Sequence, residues 1–222
     1  MNDKHVIIVA GGKGLRMGTG IPKQFLPIGG KPVLMWAIEA FVKYRHDIHI
    51  VLVLPESFLD YWSELCAEYH FVVAHEIAFG GETRFHSVKN GLEKIHSGYV
   101  AVHDGARPFA SEKLIASCFG DAEKCQATIP VVPITDSCRI LEPNGGSRIL
   151  DRSCLRLVQT PQVFSVDLLK KAYSTPFQHI FTDDASVVEY WGHQISLVEG
   201  ETNNIKITNP IDLKMGEWIL GG

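Results

Sequence analysis

Val9-Ala10-Gly11-Gly12-Lys13-Gly14-Leu15-Arg16-Met17, followed by Pro22-Lys23, decides the reading of this chain. The run leading into it, His5-Val6-Ile7-Ile8-Val9-Ala10, is apolar and predicts a buried strand. A glycine-rich turn leaving a strand lets backbone N–H groups approach a phosphate, because no Cβ stands in the way. Arg16 and Lys23 add two cations to the same loop. Spacing disposes of two rivals. No stretch has the G-x-x-x-x-G-K-[S/T] layout of a P-loop. Gly12 to Met17 ends in Met where the dinucleotide fingerprint needs Gly or Ala, and it carries Lys and Arg inside the turn, which disfavours a nicotinamide-dependent oxidoreductase.

Outward from this loop, apolar β-rich runs recur at 5–10, 48–54, 70–74, 98–103 and 127–132. Helix-period segments lie between them, near 32–44, 56–68, 84–96 and 111–124. Strand alternating with helix predicts an α/β fold with a mostly parallel sheet and helices on both faces. The strands are near-continuously apolar, as both-sided burial requires. Ligands of such sheets bind beyond the carboxyl ends of the strands. Ala10–Lys23, Gly80–Arg84 and His103–Pro108 are therefore expected to meet in one cleft.

The pattern breaks between about 134 and 158. Two alternating runs flank Glu142-Pro143-Asn144-Gly145-Gly146 and predict a β-hairpin. A lone hairpin is marginal, so it must pack somewhere. One expectation is an arm over 136–157 that projects and makes a dimer; the other is a hairpin folded back on its own domain.

Bulk composition narrows the function. The chain has 222 residues, 45% of them hydrophobic and 21% charged, enough for one domain over 1–222 with a substantial core. No continuous apolar stretch is long enough to span a bilayer. The N-terminal residues lack a signal-peptide layout, so a cytoplasmic location and no membrane partner are expected. A net charge of −4 argues against a general nucleic-acid binder. The five cysteines form no C-x-x-C pair and leave one over in any pairing, which reads as reduced packing cysteines. No Cys/His spacing suits a zinc finger.

Three more segments carry candidate chemistry. In His103-Asp104-Gly105-Ala106-Arg107-Pro108 an acid ends a strand, where it can ligate Mg²⁺ or orient a ribose, and Arg107 can take a phosphate bidentately. Phe79-Gly80-Gly81-Glu82-Thr83-Arg84-Phe85-His86-Ser87 is a second glycine turn opening a helix. It either reads a base or ribose edge or simply caps that helix. Asn203-Asn204-Ile205-Lys206-Ile207-Thr208 sets a lysine in a short alternating run, and Phe181-Thr182-Asp183-Asp184-Ala185 looks like a helix N-cap with acids in the first turn.

The first loop resembles that of sugar-phosphate nucleotidyltransferases. Adding Gly80-Gly81-Glu82-Thr83-Arg84-Phe85-His86-Ser87, His103-Asp104-Gly105-Ala106-Arg107-Pro108, Gln159-Thr160-Pro161-Gln162, Thr182-Asp183-Asp184-Ala185-Ser186 and Asn204-Ile205-Lys206-Ile207-Thr208 narrows the likeness. Together these resemble the 2-C-methyl-D-erythritol 4-phosphate cytidylyltransferase family of the non-mevalonate isoprenoid pathway, in order from residue 6 to about 213. The resemblance implies a Rossmann-like fold, a projecting β-arm, a homodimer, and Mg²⁺-dependent use of CTP with a small polyol phosphate as acceptor. It implies a nucleotide lying against Ala10, Gly11, Gly12, Gly14, Gly81, Glu82, Ser87, Asp104 and Gly105. It implies catalytic roles for Arg16, Lys23, Arg152 and Lys206. The acceptor would sit among Asp104, Arg107, Ser137, Arg152, Thr160 and Lys206, with Arg152 reaching in from a partner's arm and Asp104 as a metal ligand. Gly105 stands where many members carry Ala, and Ser137 where Thr is common. Two rival readings remain: a ribitol 5-phosphate cytidylyltransferase, whose relatives tend to have Ser-Val in place of Gly105-Ala106, and a non-catalytic nucleotide-binding module. Retention of Arg16, Lys23, Asp104 and Lys206 together argues against the second.

Overall fold

The computed structural model describes residues 3–11, 21–143 and 145–221. Strand β1, Lys4–Val9, forms where the apolar run predicts it, and Val6, Ile7 and Ile8 are fully buried. Side chains alternate across a strand. Accordingly Val6 and Ile8 join the core on one face of the sheet and Ile7 the core on the other. A short antiparallel pair, β2 (Pro27–Ile28) and β3 (Lys31–Pro32), leads into α1 (Val33–Tyr44). Then come β4 (His49–Leu54), α2 (Leu59–Glu68), β5 (Glu76–Phe79), α3 (Arg84–Leu92), β6 (Tyr99–Asp104), α4 (Glu112–Cys125) and β7 (Ala127–Pro133). The hairpin is β8 (Cys138–Leu141) and β9 (Ser147–Leu150). The chain ends with β10 (Arg156–Val158), β11 (Gln162–Ser165), α5 (Val166–Ala172), α6 (Asp184–Tyr190), β12 (Ser196–Glu199) and α7 (Pro210–Gly221).

The main sheet runs β10-β7-β11-β6-β1-β4-β5, with β12 also against β7. β6, β1, β4 and β5 are mutually parallel, and β12 is parallel to β7; β11 runs antiparallel between β6 and β7, and β10 antiparallel to β7. The fold is thus α/β around a mostly parallel sheet. Leu34, Ile38 and Phe41 of α1, Trp62 of α2 and Phe119 of α4 fill one face. Val88 and Leu92 of α3, Leu169 of α5 and Val188 of α6 fill the other. No helix among the described residues is long and apolar enough to cross a membrane.

One expected strand is absent. Residues 71–75 are irregular, and the strand that pairs with β4 is Glu76–Phe79. Phe71 and Val73 pack against the core while Val72 is exposed, which mimics strand alternation. The segment is held by its side chains: Trp62 Nε1–H donates to His75 Nε2 at 3.0 Å. That leaves His75 Nδ1–H to donate to the Val73 carbonyl at 2.7 Å. Helix α3 stops at Leu92, four residues short of the expected end.

Among the described residues, β8 and β9 pair only with each other, in register from Cys138↔Leu150 to Leu141↔Ser147. Leu141 and Ile149 are 83% and 78% exposed, so the hairpin projects from the sheet rather than folding back. The chain returns through a 3₁₀ turn, Arg152–Cys154, and rejoins β7 as β10, so residues 156 and 157 belong to the main sheet.

Candidate active site

The carboxyl ends of β1, β4, β5 and β6 are tied together by backbone bonds. Gly105 N–H donates to Val9 O at 2.9 Å, Ala10 N–H to Val53 O at 2.9 Å and Gly80 N–H to Leu54 O at 2.8 Å. The described parts of the three predicted strand-end segments therefore meet at one edge, as expected of a parallel sheet. Two glycines permit the approach. A Cβ on Gly105 would lie 3.2 Å from the Ala10 Cβ, and one on Gly81 only 2.4 Å from the His86 Cβ. Gly81 N–H donates to Ser87 Oγ at 3.0 Å, which places Ser87 across from Gly11.

Asp104, at the end of β6, is the centre of charge. Lys206 Nζ lies 2.7 Å from its Oδ2, Arg107 Nε 3.8 Å from the same oxygen, and Arg84 Nε 3.5 Å from Oδ1. Burial alone would raise the Asp104 pKa. The positive charges of Arg84, Lys206 and Arg107 outweigh it and hold the carboxyl well below the usual range. Arg107 is itself pushed down by burial, opposed by Asp104, but a guanidinium stays protonated.

A second layer fixes these groups. Arg107 Nη1 donates to the Asn204 carbonyl at 2.7 Å. Asn204 Nδ2 donates to Thr160 O at 2.9 Å, and Ile207 N–H donates to Ala106 O at 2.8 Å. The alternating run around Lys206 is thus an irregular segment stitched to the β6 loop, not a strand. His103 Nε2 lies 2.9 Å from the Arg107 carbonyl, which can only accept, so this nitrogen carries the proton. Nδ1 then accepts from Thr160 Oγ1 at 3.0 Å, and that hydroxyl in turn accepts from Asp104 N–H at 3.1 Å. Burial holds His103 neutral, lowering its pKa to about 4. Thr160 and His103 are both buried and fully engaged, so the pair is a support rather than a nucleophile and its base.

Lys23 opens a 3₁₀ turn, Lys23–Phe25. Gln24 Nε2 donates to the Ala10 carbonyl at 2.7 Å. Phe25 is buried against Phe58, Tyr61 and Trp62. Those two anchors bring Lys23 to the start of the glycine loop. Gly12, Gly14 and Arg16 lie outside the described residues.

The structure brings together Ala10, Gly11, Gly81, Ser87, Asp104, Gly105, Arg107, Thr160 and Lys206. Glu82 is exposed and sits one residue before Thr83, whose Oγ1 caps α3. Ser137 and Arg152 lie on the exposed arm, and Arg152 Nη1 donates to the Thr135 carbonyl at its base. No hydrogen bond or ion pair among the described residues joins either of them to Asp104. Sequence reading missed Arg84, Gln24 and His103 as site residues. Arg84 had a signal: a cation one residue into a helix that opens at a strand end. Gln24 and His103 act through the groups they hold, and no motif marks that.

Three cations around one buried acid suit a polyanion. Among the described residues no group of three or more His, Cys, Asp or Glu could hold a metal by itself. The sequence profile of the 2-C-methyl-D-erythritol 4-phosphate cytidylyltransferases matches residues 4–222. The curated enzyme of that name from Phocaeicola vulgatus is 56% identical over 98% of this chain and 100% of its own. Solved structures agree. The 2-C-methyl-D-erythritol 4-phosphate cytidylyltransferase from Thermus thermophilus is 33% identical with a TM-score of 0.79, covering 100% of both chains. The Anaerococcus prevotii 4-diphosphocytidyl-2C-methyl-D-erythritol synthase is 25% identical with a TM-score of 0.84, covering 100% of this chain and 97% of its own. By profile, by identity over its whole length and by fold, this chain belongs to the 2-C-methyl-D-erythritol 4-phosphate cytidylyltransferase family.

Proposed function

We propose that the protein transfers a cytidylyl group from CTP to 2-C-methyl-D-erythritol 4-phosphate and releases pyrophosphate, in isoprenoid precursor synthesis. The observation that carries the reading is the convergence of Lys206, Arg107 and Arg84 on Asp104 beside the glycine turn and the Gln24-anchored Lys23. The acceptor phosphate oxygen attacks the α-phosphorus in line, and the bond to the departing pyrophosphate breaks. A phosphate monoester is already an anion near neutral pH, so the reaction needs no protein nucleophile. What it needs is positioning and opposition to the charge that grows on the phosphoryl oxygens. Lys23, with Arg16, opposes charge on the triphosphate. Lys206 and Arg107 hold the incoming phosphate against repulsion from the nucleotide. Ala10, Gly11, Gly81, Ser87 and Gly105, with Gly12, Gly14 and Glu82, line the nucleotide side; Thr160 supports the acceptor side.

A divalent cation belongs to the same reading. The site offers one carboxylate, Asp104, and one carboxylate suits a Mg²⁺ that takes its other ligands from phosphate oxygens and water. Bound there, Mg²⁺ would neutralise charge on the triphosphate. The proposal extends to a homodimer in which the arm, with its exposed Leu141 and Ile149, packs on a second copy and brings Ser137 and Arg152 to the partner's acceptor site.

The test is pyrophosphate release from CTP with methylerythritol phosphate and, separately, with ribitol 5-phosphate, each with and without Mg²⁺. Release with the first acceptor and background with the second is expected. The reverse preference overturns the acceptor assignment, CTP binding without release under any condition overturns the enzyme reading, and undiminished release in EDTA removes the metal.

A further inference from the structure

Behind Asp104 the structure holds a second buried acid that the reaction does not touch. Asp184, the first residue of α6, is fully buried. Arg84 Nη2 donates to its Oδ2 at 2.7 Å, and Tyr173 Oη–H donates to its Oδ1 at 2.6 Å. The Arg84 guanidinium therefore bridges two carboxylates, and it stands closer to the remote one: 2.7 Å to Asp184 against 3.5 Å to Asp104. The residues that place Asp184 are themselves pinned. Gln162 Oε1 accepts from the backbone N–H groups of Asp184 and Ala185 at 3.1 and 3.0 Å, and Gln162 Nε2 donates to Asp183 Oδ2 at 2.8 Å. Gln162 lies on β11 opposite Val102, two residues before Asp104 on β6. Tyr173 is fixed by stacking on Phe85, the neighbour of Arg84, with ring centroids 4.6 Å apart. The chain Tyr173–Asp184–Arg84–Asp104–Lys206 is continuous, and its Tyr173 end is anchored by that stack.

Resting on the reading above, we propose that Asp184, with Tyr173, is a positioning residue for cytidylyl transfer: by holding Arg84 back it keeps the Asp104 carboxylate available to Lys206, and so sets where Lys206 meets the acceptor phosphate. The physical reason is competition. A guanidinium prefers a bidentate grip on one carboxylate. Without the negative charge of Asp184, Arg84 closes on Asp104 with both of its forks. Lys206, 42% exposed and held at Asp104 through one contact, is then displaced. A merely structural acid at a helix start would have no such directional effect.

The experiment uses the full chain with two variants, Asp184→Asn and the milder Tyr173→Phe, which keeps the ring stack on Phe85. Each is first checked for a cooperative thermal transition. For Asp184→Asn, kcat is expected to fall by roughly tenfold to a hundredfold, the scale of one charge-assisted hydrogen bond. The KM for the acceptor rises by more than the KM for CTP, which Asp104 reaches only through a bound cation. Tyr173→Phe keeps the Asp184 charge but removes the hydroxyl that fixes its carboxylate, so Asp184 holds Arg84 less firmly and the same changes appear, a few-fold in size. Unchanged kcat and acceptor KM in Asp184→Asn overturns the role, as does an equal rise in both KM values at constant kcat. A crystal structure of either variant separates this from the reaction itself. Arg84 closing on Asp104 with Lys206 displaced supports the relay whatever the acceptor proves to be; unchanged Arg84 and Lys206 distances overturn it even where the parent enzyme turns over methylerythritol phosphate as proposed. If Asp184→Asn does not fold, the Tyr173→Phe kinetics and structure decide by the same outcomes.

Discussion

Acidification should loosen the active site through His103, and the size of the effect follows from its surroundings. The ring is fully buried, edge-on to Phe41 at 5.0 Å, with both nitrogens engaged in neutral-form hydrogen bonds. Burial is the main reason its pKa falls from 6.5 to about 4. The Arg107 carbonyl and the Asp104 charge push the other way, and the charges of Arg107 and Lys206 add to the depression. An unfolded chain takes up this proton near pH 6.5, the folded one only near pH 4. Between those values the unfolded state binds more protons, so the stability that neutral His103 contributes is complete above pH 6.5 and is lost as pH falls toward 4. At pH 4.5 the difference amounts to about 2.5 kcal/mol, at 1.36 kcal/mol per pKa unit. For a chain of this size that is about 5–10 °C in melting temperature.

The check is a double difference. Urea unfolding is measured for the parent and for His103→Gln at pH 7.0 and 4.5. The variant loses stability at both pH values, because a buried ring is removed. That loss cancels, as do all other titrations common to the two proteins. The parent should lose about 2–3 kcal/mol more than the variant on going to pH 4.5. Equal losses would refute the reasoning, as would an NMR titration of the His103 ring with a midpoint near 6.5. Because the same ring holds the Arg107 carbonyl and the Thr160 hydroxyl, the acceptor KM of the parent should climb over this window before global unfolding sets in.

Four further outcomes follow from the site. Lys23→Ala should lower turnover by a factor on the order of a hundred or more, read as pyrophosphate release, and near-normal turnover removes its role. Lys206→Ala should raise the acceptor KM while barely moving the melting temperature, since Asp104 keeps Arg84 and Arg107; a large loss of stability with unchanged KM contradicts the assignment. Mixing inactive Lys23→Ala and Arg152→Ala subunits should restore about a quarter of parental activity, because in a two-fold dimer each hybrid holds one intact site; no recovery at all defeats the shared arm. Replacing Leu141 with Lys and Ile149 with Glu should give monomers in sedimentation velocity, and a persistent dimer places the interface elsewhere.

The fold was legible where one physical requirement dominates a segment. Buried strands β1, β4, β6 and β7 are near-continuously apolar because both sheet faces are covered, and α1 and α4 show the matching helical period. Legibility failed where tertiary contacts overrode local pattern. Residues 71–75 alternate like a strand but are held by the Trp62–His75 bond, and the pairing passes to Glu76–Phe79. β11 and β12 are four residues each, too short to stand out from their surroundings. The site shows the same division. Glycines and cations at strand ends announce themselves, because close approach and charge leave few choices of residue. Arg84 carries that same signal, a cation at a strand end, but its role stayed hidden because it depends on two acids, Asp104 and Asp184, that lie far along the chain from it.

On the proposed function, the arrangement of charge accounts for how this mildly acidic chain would present a phosphate site. Two like charges 4 Å apart repel by about 4 kcal/mol at the effective dielectric of a protein surface. Arg84, Arg107 and Lys206 could not gather at one strand end without an internal counter-ion. Asp104 is that counter-ion, and its burial keeps its field from being screened by salt. The three cations are not equivalent. Arg107 is fixed by the Asn204 carbonyl and Arg84 by Asp184, whereas Lys206 is half-exposed and, among the described residues, held by its ammonium at Asp104 alone. The two arginines therefore set a rigid positive frame, and the lysine is the charge free to exchange a carboxylate for a phosphate. On the proposed function, that asymmetry would let one buried acid both assemble the site and release a cation to the reaction.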